Sequence, residues 1–263
     1  MASTNPISRF TNLELGCQPV SHNQEVSQSS DENLHLEEAS RLFDEGLFEP
    51  ALRSFAKVLE FNPQNTTAWT RQVQMLIELG EFHEAKLWAD KALERFPRCP
   101  ELLATKAVAL ARQGDLAAAL AFSDACFEER GQGAYLWLAR ADVMFARKEK
   151  RADYCFEKAV TLAPSDWRTH WQASRVFFYY RKFTLALKSA QAALNITPTN
   201  GILWCQAGHC QVELGMTALA ESSFQHALDL NPRCDEARTA LTQIKSTNMF
   251  TKLRGYWNRF TSR

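Results

Sequence analysis

TTAWTRQVQMLIELGEFHEAKLWADKALERFPRC, residues 66–99, carries apolar residues at helical spacing on both sides of Gly80 and ends in a proline. A period near 3.6 on each side predicts two amphipathic helices. Glycine between them predicts a left-handed residue that closes the first helix, because glycine adopts positive φ without a Cβ clash. Pro97 predicts the end of the second helix, since proline lacks the amide hydrogen and restricts the residue before it.

The same arrangement recurs along the chain. An alanine column stands at Ala51, Ala85, Ala119, Ala152, Ala186 and Ala220, in steps of 34, 34, 33, 34 and 34. A terminal column, Pro63, Pro97, Gly131, Pro164, Pro198 and Pro232, repeats those steps, and so does Val58, Ala92, Cys126, Ala159, Ala193 and Ala227. Three columns sharing one irregular series identify a tandem repeat. Small residues allow close approach of antiparallel helices, with Phe55, Phe156 and Phe224 filling the space beside them. Gly46, Gly80, Gly114 and Gly215 mark the reversals. Two departures stand out: the third repeat ends in ERGQG instead of proline, and the fourth has lost one residue, assigned to the turn ARKEKR, where a local change of pitch is expected.

These residues resemble the tetratricopeptide repeat family: an aromatic near the start, a glycine at the turn, alanines and an aromatic in the second helix, and a terminal proline. The resemblance covers residues 32–234. It implies an all-α, right-handed superhelical solenoid of six helix-turn-helix units at 32–65, 66–99, 100–133, 134–166, 167–200 and 201–234. A capping helix is expected at 235–246, where Asp235 and Glu236 suit a helix N-terminus and Ala237, Leu241 and Ile244 form a narrow apolar stripe. A polar N-terminal tail (1–30) is expected to be disordered, and a basic aromatic tail (247–263) closes the chain.

Lys plus Arg and Asp plus Glu number 30 each, so no global field points to nucleic acid, and no known nucleic-acid motif occurs. There is neither an apolar run long enough to span a bilayer nor the pattern of a secretory signal, and the expected location is cytoplasmic. Seven cysteines without close pairing read as reduced and mostly buried.

Family resemblance implies that a partner meets the first helices of successive units on the concave face. Projection onto this chain selects Arg71, Arg112, Tyr135, Arg168, Trp171, Arg175, Tyr179 and His209 as partner-binding candidates, with a protein or peptide as the ligand. Arg168, Trp171, Arg175 and Tyr179 form one stripe, and aromatics with arginines dominate interface energetics. Trp171 is equally compatible with packing against its neighbour. Family members that clamp Hsp70 or Hsp90 tails hold a C-terminal carboxylate with Lys, Asn and Arg over three units. Here the corresponding positions carry Arg71 and Gln74, then Ala104, Thr105 and Val108, and the usual clamp is not expected.

No phosphate loop, nucleophile elbow or zinc-protease helix occurs, so an enzyme and a cofactor are not expected. Cys205 and His209 have the spacing of a metal half-site, but Cys234 and His226 fall in and after the second helix, which faces away, and no metal is predicted. After Glu236 the chain has no acidic residue, and Phe250, Lys252, Arg254, Trp257, Arg259 and Phe260 read as a tail for a partner or an anionic membrane surface. Peripheral membrane attachment through that tail is the alternative to a purely soluble adaptor.

Overall fold

The computed structural model describes residues 25–129 and 131–246, with side chains from residue 31 onward. All regular structure among them is α-helical. The chain divides between Ala159 and Val160 into two compact bodies. The first contains α1 (Glu25–Asp44), α2 (Phe48–Phe61), α3 (Thr66–Glu78), α4 (Phe82–Arg95), α5 (Pro100–Gln113), α6 (Leu116–Glu128), α7 (Ala134–Ala146) and most of α8 (Arg151–Leu162). The second contains α9 (Trp167–Tyr179), α10 (Phe183–Ile196), α11 (Gly201–Glu213), α12 (Thr217–Leu230) and α13 (235–246).

Each odd-numbered helix from α1 to α11 ends in the same turn. Gly80 donates its amide to the Ile77 carbonyl at 3.1 Å and Glu81 donates to Leu76 at 2.9 Å. This pair of bonds, closed by a left-handed residue, is the Schellman arrangement. It recurs with Gly46, Gly114 and Gly215, all at positive φ as the sequence predicts. Where the fourth and fifth repeats lack glycine, Lys148 (φ 59°) and Arg181 (φ 57°) take its place with the same two bonds. The turn geometry is therefore kept while its preferred residue is not.

The missing residue lies just after Lys148. The conserved-spacing alanines elsewhere begin the second helix with an i→i−4 bond, for example Ala85 to Glu81 at 2.9 Å, but Ala152 bonds to Glu149, three residues back, at 3.3 Å. A tighter first bond absorbs the deletion at the helix start. The other departure has a packing cause. A Cβ on Gly131 would stand 2.4 Å from Leu136 Cδ1, 2.8 Å from the Cys126 carbonyl oxygen and 2.9 Å from Pro100 Cβ, so glycine occupies a point of close backbone approach.

All six alanines of the first column and all six members of the Val58–Ala227 column are at most 2% exposed. Phe55, Phe156 and Phe224 are buried beside them. In the first body α7 meets α8 through aromatic pairs, Trp137 with Tyr154 at 5.9 Å and Phe145 with Phe156 at 5.5 Å. In the second, Ala237, Leu241 and Ile244 of α13 join one apolar cluster with Cys205, Ala220, Phe224 and Ala227. That stripe covers the outer side of the α11–α12 pair, whose apolar face no single hairpin could bury alone.

First helices of adjacent repeats touch with a regular offset. Arg112 bonds to Asp142 across 30 residues and Gln206 to Ser174 across 32. The offset is one repeat less about one helical turn. It sets which side chains of neighbouring first helices can cooperate.

Candidate functional site

In the first body, three predicted contact residues are already engaged. Arg71 donates from Nη1 to Gln74 Oε1 at 3.0 Å and its guanidinium stands 4.9 Å from the Phe43 ring centre. Tyr135 hydrogen-bonds to the same Gln74, and burial pushes its phenol well above the usual range. Arg112 corrects the sequence expectation. Its Nε lies 3.0 Å from Asp142 Oδ1 and its Nη2 2.6 Å from Oδ2, with side-chain exposures of 8% and 2%. A guanidinium held in a two-pronged pair with a buried carboxylate is part of the packing between α5 and α7 and leaves little of its side chain to a partner.

The second body carries the stripe on α9. Trp171 is a second correction, because it is 0% exposed and makes no surface. Its indole instead supports Arg175, whose guanidinium carbon lies 5.6 Å from the ring centre. Such a cation over an aromatic face is favourable and limits the rotamers of the arginine. Around this platform, Arg168 is 39% exposed in its side chain and stands 4.8 Å from the Trp167 ring centre. Tyr179 is 44% exposed and meets Tyr180 edge to face at 5.0 Å. Arg168, Arg175 and Tyr179 remain as a surface stripe with the tryptophan beneath it.

His209, on α11, lies between Phe178 (6.4 Å between ring centres) and Phe224 (5.0 Å) and is half-buried. Its Nε2 stands 3.8 Å from Glu236 Oε2, and Cys205 Sγ stands 3.9 Å from the same oxygen. Ligand atoms of Cys205, His209 and Glu236 lie within 4.8 Å of one another. The Glu236 carboxyl is held below its usual value, first by its hydrogen bond with His209, against the opposing effect of burial. Cys205 and Cys234 share a hydrogen bond that keeps the proton on Cys205, pushing that thiol up and Cys234 down.

Sequence reasoning missed Glu236 here and turned Cys234 the wrong way. Both stand at the start of α13, which folds against α11, so they face Cys205 and do not point off the end of the repeat. The signal was the offset between first helices, since Glu236 follows Cys205 by 31 residues. Phe250, Lys252, Arg254, Trp257, Arg259 and Phe260 lie outside the described residues.

Comparison with known proteins places the repeat. Residues 202–234 match the family model of the tetratricopeptide repeat. The chain is 22% identical over 187 residues to BBSome complex member BBS4 of Bos taurus, a match covering 71% of this chain and 36% of that protein. It thus spans about a third of the length of that curated relative. A tetratricopeptide repeat protein from Parabacteroides merdae ATCC 43184 superposes with a TM-score of 0.54 at 17% identity, covering 84% of this chain and 85% of its own. YrrB, described as a TPR protein with an unusual peptide-binding site, gives a TM-score of 0.42 at 18% identity over 71% and 96% of the two chains. Residues 202–234 thus match a tetratricopeptide repeat, and the same helix, left-handed turn, helix and small-residue columns give the other described repeats that fold.

Proposed function

We propose that the chain is a non-enzymatic adaptor that holds a segment of a partner protein against its first helices, with the α9 stripe of Arg168, Arg175 and Tyr179 as the principal contact. The observation that carries this reading is the layering of that stripe: a half-buried Arg175 over the fully buried Trp171, flanked by the half-buried Arg168 and the exposed Tyr179. Rigid aromatic area and directional cationic donors are the groups that concentrate binding energy at interfaces. A peptide with acidic or aromatic side chains complements them. His209 extends the contact set within the second body, and Arg71 and Tyr135 offer contacts of their own in the first. The curated relative is a member of a multiprotein complex, which supports a role within an assembly. The arrangement of Arg71, Gln74, Ala104, Thr105 and Val108 lacks the Lys and Asn partners of a carboxylate clamp, so an internal segment suits the surface better than a chaperone tail.

The test is a panel of acidic and aromatic peptides titrated against the wild-type chain and against Arg168→Glu with Tyr179→Ala. Each hot-spot residue is worth at least ~2 kcal/mol, which is about 30-fold in Kd. Loss of binding with unchanged helicity is expected. A peptide that binds both proteins equally would place the contact elsewhere. A second reading rests on the absence of acidic residues after Glu236: the tail meets an anionic membrane, and flotation of the full chain with anionic vesicles would favour it.

A further inference from the structure

Beyond the α9 stripe, one cluster of metal-ligating groups draws together. Cys205 and His209 project from one face of α11, four residues apart, while Cys234 and Glu236 come from the turn into α13 and its first residues. Ligand atoms of Cys205, His209 and Glu236 lie within 4.8 Å of one another, and the Cys234 thiol joins them through its hydrogen bond to Cys205.

Their spacing separates the possible uses. A direct bond between charged imidazole and carboxylate closes to about 2.7–2.9 Å, whereas His209 Nε2 stands 3.8 Å from Glu236 Oε2. Cys205 Sγ approaches that oxygen only to 3.9 Å. Donors on a common zinc ion, with Zn–S near 2.3 Å and Zn–N or Zn–O near 2.0–2.1 Å, are separated along a tetrahedral edge by about 3.3–3.6 Å. The contacts to Glu236 are thus long ones, an ion pair at 3.8 Å and a sulfur hydrogen bond at 3.9 Å, and both separations are within about half an ångström of sharing an ion. A nucleophilic role for Cys205 fits poorly, because the residue is 2% exposed. Thiolates and imidazole together favour zinc over calcium or magnesium, which take oxygen ligands.

We propose that Cys205, His209, Cys234 and Glu236 form a tetrahedral zinc site that fastens α13 to α11. Binding displaces the thiol protons to solvent, and no electron transfer is involved. Two thiolates and a carboxylate around a divalent ion leave one net negative charge, and the nearby Arg175, whose charge acts on both Cys205 and Glu236, offsets it. Four protein ligands leave no open position, so the site is structural. The apolar stripe of Ala237, Leu241 and Ile244 seats the helix, and the ion fixes its first turn.

Cobalt(II) titration of the full, phosphine-reduced chain tests this. Expected is one equivalent bound, with the intense visible bands of tetrahedral cobalt, thiolate-to-cobalt charge transfer in the near ultraviolet, and displacement of both by zinc. Cys234→Ser should remove about half of the charge-transfer intensity, because each thiolate contributes its own. Cys205→Ser with Cys234→Ser should abolish it, while Cys155→Ser leaves it intact. Glu236→Gln should keep the thiolate bands and weaken affinity by at least the ~10–100-fold seen for lesser disturbances of a metal site. Zinc should also slow amide exchange in residues 235–246. The wild-type spectrum decides even where a variant misfolds: weak octahedral bands without charge transfer overturn the site. An unchanged spectrum in the double cysteine variant moves it elsewhere, and unaltered exchange in α13 removes its fastening role.

Discussion

Arg112 and Asp142 offer a direct measure of whether a first-helix arginine serves packing or recognition. Arg112→Met removes a guanidinium that donates three bonds of 2.6–3.2 Å to one carboxylate, at exposures of 8% and 2%. Asp142 is then left charged with most of its solvent excluded, and breaking such a pair from one side costs about 3–5 kcal/mol. Asp142→Leu should cost a similar amount by removing the carboxylate that accepts three bonds from the cation. Replacing both together restores a neutral interior, and the double variant should fall within about 1–2 kcal/mol of the wild type, possessing packing in place of the pair. The single losses therefore fail to add by several kcal/mol, which is the mark of direct coupling. Urea unfolding measures these differences at constant m-value. Because repeats unfold as neighbour-coupled units, amide exchange in α5 and α7 should respond first. If Arg112→Met costs less than about 1 kcal/mol, the range of an exposed pair, the buried-pair reasoning fails and Arg112 returns to the contact surface.

The turn residues and one acidic side chain give two further tests. Lys148→Gly and Arg181→Gly should each stabilise by up to about 1 kcal/mol in thermal melts, since a left-handed residue with a Cβ costs about 1–2 kcal/mol and glycine's added unfolded-state freedom returns part of that. Gly80→Ala should lose a comparable amount through φ alone, as nothing lies within 4 Å of the added Cβ; equal melting of all three with wild type would refute it. Burial pushes the Asp90 carboxyl up, but hydrogen bonds from Lys106 and Lys86 outweigh it and hold the group below its usual value. A lowered folded value means stability that is complete above the unfolded carboxyl value, about 3.9, and is lost as pH falls through the folded one. Asp90→Asn should therefore flatten the acid limb of the stability profile, by about 0.5 kcal/mol after solvent screening, and an unchanged limb would remove the pair from the account.

The architecture was legible because it is written in columns. A buried alanine, a small residue one turn and more beyond it, and a turn glycine each constrain the backbone or its closest approach, and such constraints survive as residue identity. Where the constraint falls on geometry alone, identity is a poorer guide: Lys148 and Arg181 hold the same left-handed turn without glycine, and Ala152 starts its helix from a shortened bond. The contact face was harder to read, since projection assigns a side chain to a helix face but does not say whether the next repeat covers it. Trp171 shares the face of the exposed residues and is nevertheless enclosed, and the Arg112 guanidinium there is taken up by Asp142.

What periodicity does supply, once the offset between first helices is known, is pairing. Arg112 reaches Asp142 across 30 residues, Ser174 reaches Gln206 across 32 and Cys205 reaches Glu236 across 31. The chain therefore places a chosen pair of chemistries side by side wherever two residues stand about 31 apart on first helices. A charge pair results at α5 and α7, an amide–hydroxyl pair at α9 and α11, and a thiol–carboxylate pair at α11 and α13. The first two are closed bonds that add rigidity. In the third the carboxylate makes only long contacts, 3.9 Å to the thiol and 3.8 Å to the imidazole, and this looser spacing is the physical reason for treating it as a site where its two counterparts are packing.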